Sequence, residues 1–216
     1  MQCTIFANGP FSLDARIDPK MLQHDYVIAT DGGALHCHDL GLTPDLVVGD
    51  MDSIPRWLLE ELRRQEVEIR TFPERKDHTD LELAIDLAVE RGMTDMTILA
   101  ALGRRWDMSI AAVMLLAAPR FAGLHIVLRD GPTDLFCLRG RQRLDLAAMP
   151  GQRLSLIPLG GPAHGVTLDG LEYPLDNHLI PFGSTLGISN VVTEPEVLIQ
   201  IHEGLLLCIL EIPEPT

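Results

Sequence analysis

A chain of 216 residues, 46% apolar and 5% aromatic, is long enough for one large domain or two small ones with a real core. It holds no run of 18 apolar residues, so no transmembrane helix is expected. The formal charge of −14 argues against nucleic-acid binding, which rests on Lys and Arg neutralising phosphates.

The start, Met1-Gln2-Cys3-Thr4-Ile5, lacks a basic segment followed by a long apolar one, so no secretory signal is expected and the protein is read as cytoplasmic. Short apolar runs then alternate with helix-like segments. Thr4-Ile5-Phe6-Ala7 ends at Asn8-Gly9-Pro10, Tyr26-Val27-Ile28-Ala29 at Asp31-Gly32-Gly33, and Leu46-Val47-Val48 at Gly49-Asp50. Pro55 opens a helical stretch over 55–65 that carries Trp57, Leu58 and Leu62. Val67-Glu68-Ile69-Arg70 leads to Phe72-Pro73. Over 79–91, Leu81, Ala84, Ile85 and Ala88 follow a helical stripe. Met96-Thr97-Ile98-Leu99 leads to Gly103, the stretch 108–118 is apolar almost all round and should be a buried helix, and Leu124-His125-Ile126-Val127-Leu128 ends at Asp130-Gly131-Pro132. Short apolar runs of this kind suit parallel strands covered on both faces. The alternation predicts an α/β domain over 1–135, a doubly wound, mostly parallel sheet whose ligands bind beyond the carboxyl ends of the strands.

From 136 onward helical periodicity disappears. Arg153-Leu154-Ser155-Leu156-Ile157, Gly165-Val166-Thr167-Leu168, Val197-Leu198-Ile199-Gln200-Ile201-His202 and Leu205-Leu206-Leu207-Cys208-Ile209-Leu210 read as strands between Gly and Pro turns. Glu203-Gly204 is a two-residue hairpin signal between the last two. A small all-β sandwich over 136–216 is expected. The four cysteines, Cys3, Cys37, Cys137 and Cys208, fit no zinc spacing and read as buried thiols in a reducing compartment.

Two acidic clusters carry the chemistry. Asp50 and Asp52 lie two apart just past a strand, where extended backbone would turn both carboxylates the same way. Helix capping by Asp52 or Ser53 explains one of them and not both. Asp77 and Asp80 flank His78 and Thr79 at the head of the 79–91 helix, where Asp77 as cap and the helix dipole are the simpler explanation, yet the same dipole favours phosphate. Lys76 stands beside them as a point charge. Hard oxygen ligands, two plus two, are what Mg²⁺ needs when it also holds a polyphosphate. Arg104, Arg105 and Asp107 follow Leu102-Gly103, a candidate phosphate clamp in an acidic protein or a solvated loop. His36 and His38 fall on different sides of a helix, and the chain has no Walker A or G-x-G-x-x-G motif.

Taken in order, these residues resemble the thiamin pyrophosphokinase family. Asn8-Gly9, Asp31-Gly32-Gly33-Ala34, Leu40-Gly41-Leu42-Thr43-Pro44-Asp45, Gly49-Asp50-Met51-Asp52-Ser53, Phe72-Pro73-Glu74-Arg75-Lys76-Asp77-His78-Thr79-Asp80 and Arg105-Trp106-Asp107 look like its catalytic domain. Gly170-Leu171-Glu172-Tyr173-Pro174-Leu175 and Gly187-Ile188-Ser189-Asn190 look like its thiamin-binding domain. The resemblance implies transfer of pyrophosphate from ATP to the hydroxyl of thiamin, giving thiamin diphosphate and AMP, with Mg²⁺. It implies that Asp50, Asp52, Asp77 and Asp80 hold the metal and triphosphate. Asn8, Asp31 and Gly32 would line the cleft, and Lys76 and Arg105 would neutralise phosphate. Asp107 or Asp77 would orient the attacking hydroxyl. It also implies a homodimer with thiamin at the interface, contacted there by Ser189 and Asn190.

The chain departs from the family pattern at Arg104, where a small residue is usual, at Met108 and Ala112, where polar ones are usual, and at Val191. Two other readings remain open. One is a pyrophosphokinase for another hydroxymethyl heterocycle such as a pterin. The other is a non-catalytic thiamin- or nucleotide-binding module, which would bind ligand without releasing AMP.

Overall fold

The computed structural model describes residues 1–12, 25–75 and 77–211. Lys76 lies outside the described residues. The chain divides into two compact units, Met1–Leu115 with Gly123–Gly131, and Leu116–Ala122 with Pro132–Thr216.

The first unit runs β1 (Gln2–Phe6), β2 (Tyr26–Thr30), α1 (Gly33–Asp39), β3 (Leu46–Gly49), α2 (Arg56–Arg64), β4 (Glu68–Thr71), α3 (Asp80–Glu90), β5 (Asp95–Leu99), α4 (Trp106–Ala117) and β6 (His125–Asp130). Its strands stand in the order β6-β5-β1-β2-β3-β4, and every pairing is parallel. The expected doubly wound α/β sheet is present. Its central strands are apolar throughout because both faces are covered: all four residues of β3 and the last four of β1 and β2 are buried. β4 forms the edge, and Arg70 and Thr71 there are exposed. The chain leaves β1 in one direction toward β2, β3 and β4, and places β5 and β6 on the other side. The crevice beyond the carboxyl ends of β1 and β5 is therefore the switch point of this sheet.

Two local expectations are corrected here. The first concerns α4, expected to be buried all round. Ser109, Ala112 and Leu116 are buried, but Trp106, Ile110 and Met114 are 80, 56 and 46% exposed. Those three stand at i, i+4 and i+8, one line along the helix. An apolar sequence states what a face is made of and not what covers it, and within the described residues nothing covers this one. The second concerns α3: Thr79, not Asp77, is its cap, its Oγ1 accepting from Glu82 N at 3.2 Å.

The second unit holds β7 (Thr133–Arg139), β8 (Gln142–Ala147), β9 (Arg153–Pro158), β10 (Ala163–Asp169), β11 (Leu175–Ile180), β12 (Asn190–Val191), β13 (Glu196–Ile201) and β14 (Leu205–Glu211). They form two antiparallel sheets, β12-β9-β14-β7 and β11-β10-β13-β8, the expected sandwich. The hairpin expected at Glu203-Gly204 is not one. β13 pairs with β8 and β10, whereas β14 pairs with β7 and β9, so the turn carries the chain from one sheet to the other. Burial supplies the reason: Ile199 and Ile201 of one sheet and Leu206 and Cys208 of the other are all fully enclosed, which a single two-stranded ribbon cannot achieve. Gly204 makes the corner at φ +102, where a Cβ would stand 2.6 Å from the Pro162 carbonyl oxygen.

All four cysteines are free thiols. Burial pushes Cys3 and Cys37 up to about 12 and Cys137 up to about 11, and raises Cys208 as well, so they behave as small apolar side chains.

Candidate active site

The loops at the carboxyl ends of β1, β2 and β5, with the head of α3 and the first turns of α4, enclose a cleft of about 620 Å³ in the first unit. The strand ladders continue into these loops and draw them together. Ala7 N donates to Leu99 O at 2.9 Å, Gly9 N to Ala100 O at 2.8 Å, and Asp31 N to Val48 O at 2.9 Å. A Cβ on Gly32 would collide with the Asn8 amide oxygen, so a larger residue there would have to displace that side chain. Asn8 and Gly32 both line the cleft, and Asp31 does not. One wall is apolar, with Pro10, Phe11, Leu35, Met108 and Ala112. His36 Nε2 lies 2.9 Å from Gly9 O. A carbonyl only accepts, so that nitrogen carries the proton.

Beside the cleft three carboxylates converge. Asp31, Asp50 and Asp52 each offer an oxygen within 4.8 Å of the others. The extended geometry expected for Asp50 and Asp52 is absent: Met51 sits at φ +69, and Asp52 N donates back to Asp50 Oδ1 at 3.1 Å. The turn, not the strand, aims the pair. Neither Asp52 nor Ser53 caps α2, whose N-cap is Pro55 with no side-chain bond, and Ser53 Oγ donates instead to Asp52 Oδ1 at 2.8 Å. Asp31 is the innermost of the three, 5% exposed, in left-handed backbone at φ +47. Its Oδ1 is buried with no hydrogen-bond partner. Burial raises its pKa above the ordinary aspartate value; the nearby Ser53 hydroxyl opposes this, and the charges of Asp50 and Asp52 add to it. A buried acceptor without a donor, among three negative groups, is the donor set of a hard divalent cation. The residues present fit Mg²⁺. The sequence reading had placed Asp31 among the cleft residues; the structure groups it with Asp50 and Asp52.

Asp77 and Asp80 are not members of that group of three. Thr79 and Asp80 line the cleft at the head of α3, whereas Asp77 is exposed one turn earlier. His78 Nδ1 lies 3.1 Å from Glu82 Oε1, an i,i+4 pair on the helix surface. On the opposite rim stand Arg104 and Arg105. Arg105 forms a two-point ion pair with Asp107, its Nε donating to Asp107 Oδ1 at 3.1 Å and its Nη2 to Oδ2. The guanidinium holds the Asp107 carboxyl below its usual range. Ser109, which the sequence reading did not single out, lies beneath this loop; a lone hydroxyl residue in an otherwise apolar stretch of α4 was the available signal.

In the second unit, Asn190 is buried and its side-chain amide clamps the backbone of Tyr173: Tyr173 N donates to Oδ1 at 3.0 Å and Nδ2 donates to Tyr173 O at 2.8 Å. Ser189 is exposed at φ +58, and its backbone N donates to Ser155 Oγ at 3.0 Å. Phe182, Leu186 and Ile188 are exposed in the same segment.

Comparison with known proteins gives two family matches. Residues 19–128 match the thiamin pyrophosphokinase catalytic domain, and residues 141–206 match its vitamin B1 binding domain. The thiamine pyrophosphokinase of Bacillus subtilis (strain 168) is 29% identical over 206 residues, covering 95% of this chain and 96% of that one. Thiamine pyrophosphokinase 1 of Arabidopsis thaliana is 29% identical over 216 residues, covering 88% of this chain and 80% of that protein. The crystal structure of the Bacillus subtilis thiamine pyrophosphokinase superposes with a TM-score of 0.89 at 27% identity over 99% of this chain and 100% of that one. The Candida albicans thiamin pyrophosphokinase shares the fold at 15% identity, with a TM-score of 0.81 over 98% of this chain and 89% of that one.

Proposed function

The chain belongs to the thiamin pyrophosphokinase family, and we propose that it transfers the pyrophosphoryl group of ATP to the hydroxyl of thiamin, giving thiamin diphosphate and AMP. The observation that carries this reading is the convergence of Asp31, Asp50 and Asp52 beside a cleft at the carboxyl ends of a parallel sheet. Asp31, Asp50 and Asp52 would hold Mg²⁺, with Asp80 and Asp77 as further acidic groups on the α3 side. When bound, the metal screens phosphate charge and polarises the phosphoryl oxygens.

The remaining work falls to the chain itself. Arg104 and Arg105 neutralise phosphate charge from the opposite rim, with Lys76 as a further cation. The apolar wall at Phe11, Leu35 and Met108 and the backbone at Asn8 and Gly32 hold the nucleotide or acceptor and exclude water. Asp107, held ionised by Arg105, orients the attacking hydroxyl; a loose transition state asks little base help of it.

The active form is a homodimer. A line of exposed apolar residues on α4 needs covering, and a second copy about a two-fold axis would bring the same patch to itself. Thiamin binds at that interface, contacted by Ser189 of the partner subunit in a loop braced by the partner's Asn190.

The test is AMP release from purified protein with ATP, Mg²⁺ and thiamin against a control without thiamin. Thiamin-dependent AMP with matching thiamin diphosphate is expected. AMP released with a hydroxymethyl pterin but not with thiamin overturns the acceptor. Nucleotide binding without AMP from any acceptor overturns catalysis.

A further inference from the structure

Ser109 lies in the first turns of α4, only 9% exposed, in a helix that is otherwise apolar after Asp107. Its hydroxyl is shared among three backbone groups. Gly103 N donates to Oγ at 3.0 Å, and Oγ lies 3.0 Å from both Gly103 O and Arg105 O. One hydroxyl carries one proton, so it donates to one carbonyl at a time while accepting from Gly103 N. A serine within a helix commonly bonds back to the carbonyl four residues before it, which here is Arg105 O. That habit explains one contact and leaves the two to Gly103, which lies outside the helix.

Those two contacts close a ring across the turn 103–105. The turn is held from its other side as well. Gly103 sits at φ +120, and a Cβ there would stand 2.9 Å from Pro10 Cγ. The segment that presents Arg104 and Arg105 to the cleft is thus pinned between Ser109 and Pro10. The ion pair of Arg105 with Asp107 orients the guanidinium but does not anchor the turn, because both groups are exposed.

We propose that Ser109 is a positioning residue for anion recognition: its hydroxyl, hydrogen-bonded to Gly103 and Arg105, holds the two-arginine turn in the geometry that receives the nucleotide's phosphates. This rests on the reading of that turn as the phosphate clamp. Without the hydroxyl the Gly103 N–H loses its partner and a glycine-led turn gains freedom that ligand binding must then remove. The consequence is specific. The site loses affinity for the polyphosphate and keeps its affinity for the acceptor.

The experiment measures kcat and both KM values for Ser109→Ala, Ser109→Thr, the double variant Arg104→Ala/Arg105→Ala, and the triple variant that adds Ser109→Ala to it. Melting temperatures are recorded alongside. In Ser109→Ala the KM for ATP is expected to rise about tenfold and the KM for thiamin to change less than about twofold. Ser109→Thr, which keeps the hydroxyl, restores most of the ATP KM. In the double-arginine background Ser109→Ala adds less than about twofold, because the groups it positions are gone. Gly103→Ala disturbs the same turn from the Pro10 side and gives the same pattern, which keeps the test decisive if Ser109→Ala folds poorly. An Ser109→Ala effect of equal size with and without the arginines, or equal rises in both KM values, overturns the positioning role. A double-arginine variant with an unchanged ATP KM overturns the clamp itself, and that failure is distinguishable because it appears with Ser109 intact.

Discussion

Asp31 gives the sharpest test of the metal assignment, because without a cation it should weaken the fold it belongs to. Its carboxylate is buried and lies within 4.8 Å of oxygens on Asp50 and Asp52. Two unit charges at that separation repel by about 3.5 kcal/mol at an effective dielectric constant of 20 and by about 0.9 kcal/mol in bulk water. Asp52 is exposed and Asp50 half-buried, so screening brings the sum over both pairs to about 2 kcal/mol. Asn at position 31 removes the charge, keeps the shape and tolerates the left-handed backbone that Asp31 adopts. Asp31→Asn in a chelator-treated buffer at neutral pH is therefore expected to melt about 4–8 °C above the parent protein. The sign with pH follows from the raised pKa of Asp31. A carboxyl whose folded-state pKa lies above its unfolded value destabilises when ionised, so the advantage of the variant fades as pH falls through the folded pKa and is gone below about 3.9. Saturating Mg²⁺ reverses the order. At a hundred times its Kd the ion stabilises the parent by about 2.7 kcal/mol, and it does far less for the variant, whose turnover falls by at least about a hundredfold. Differential scanning calorimetry with and without Mg²⁺ reads all of this. A variant that melts below the parent without metal, or an undiminished Mg²⁺ shift, refutes the assignment of Asp31 as a ligand.

Ile110→Glu places a charge in the exposed line of α4 and is expected to convert the dimer to monomer at micromolar concentration while leaving the fold intact; light scattering with size exclusion checks it, and an unchanged dimer places the interface elsewhere. Met108→His restores the polar side chain usual in the family at an exposed position of the cleft wall, so stability should stay within about 0.5 kcal/mol and kcat should hold or improve. A large loss of kcat would mean the wall is packed around methionine. Gly204→Ala puts a Cβ against the Pro162 carbonyl at φ +102 and should cost about 2 kcal/mol, read as a lower urea midpoint with unchanged m-value.

The parallel sheet was legible because its strands are short apolar runs closed by Asn8-Gly9, Asp31-Gly32, Gly49-Asp50 or Asp130-Gly131, and such runs have few other uses. The order of those strands was not, and the composition of the acidic cluster depends on it. Thr30 pairs with Val48, and that register carries residue 31 alongside Gly49, the neighbour of Asp50. A reader of the chain sees Asp50 next to Asp52 and has no local sign that Asp31 joins them. The turn geometry was hidden for a different reason. Met51 at φ +69 is a conformation that methionine does not advertise, so alternation along a strand was the natural and mistaken guide to where Asp50 and Asp52 point.

The remaining two departures share one cause. β13 alternates and β14 is apolar almost throughout, and Glu203-Gly204 between them satisfies the composition of a hairpin, yet the two strands serve opposite sheets. Likewise α4 carries apolar residues on every side, yet only one line of them is buried within the described residues. In each case the pattern states the chemistry of a face, and the structure decides which surface meets it. For β13 and β14 that surface lies in the same unit. For Trp106, Ile110 and Met114 it does not lie within the described residues, and a helix apolar all round is stable in water only when something covers it. The excess apolarity of α4 is thus left uncovered by the described residues, and whether a second copy of the chain covers it is what the Ile110→Glu experiment decides.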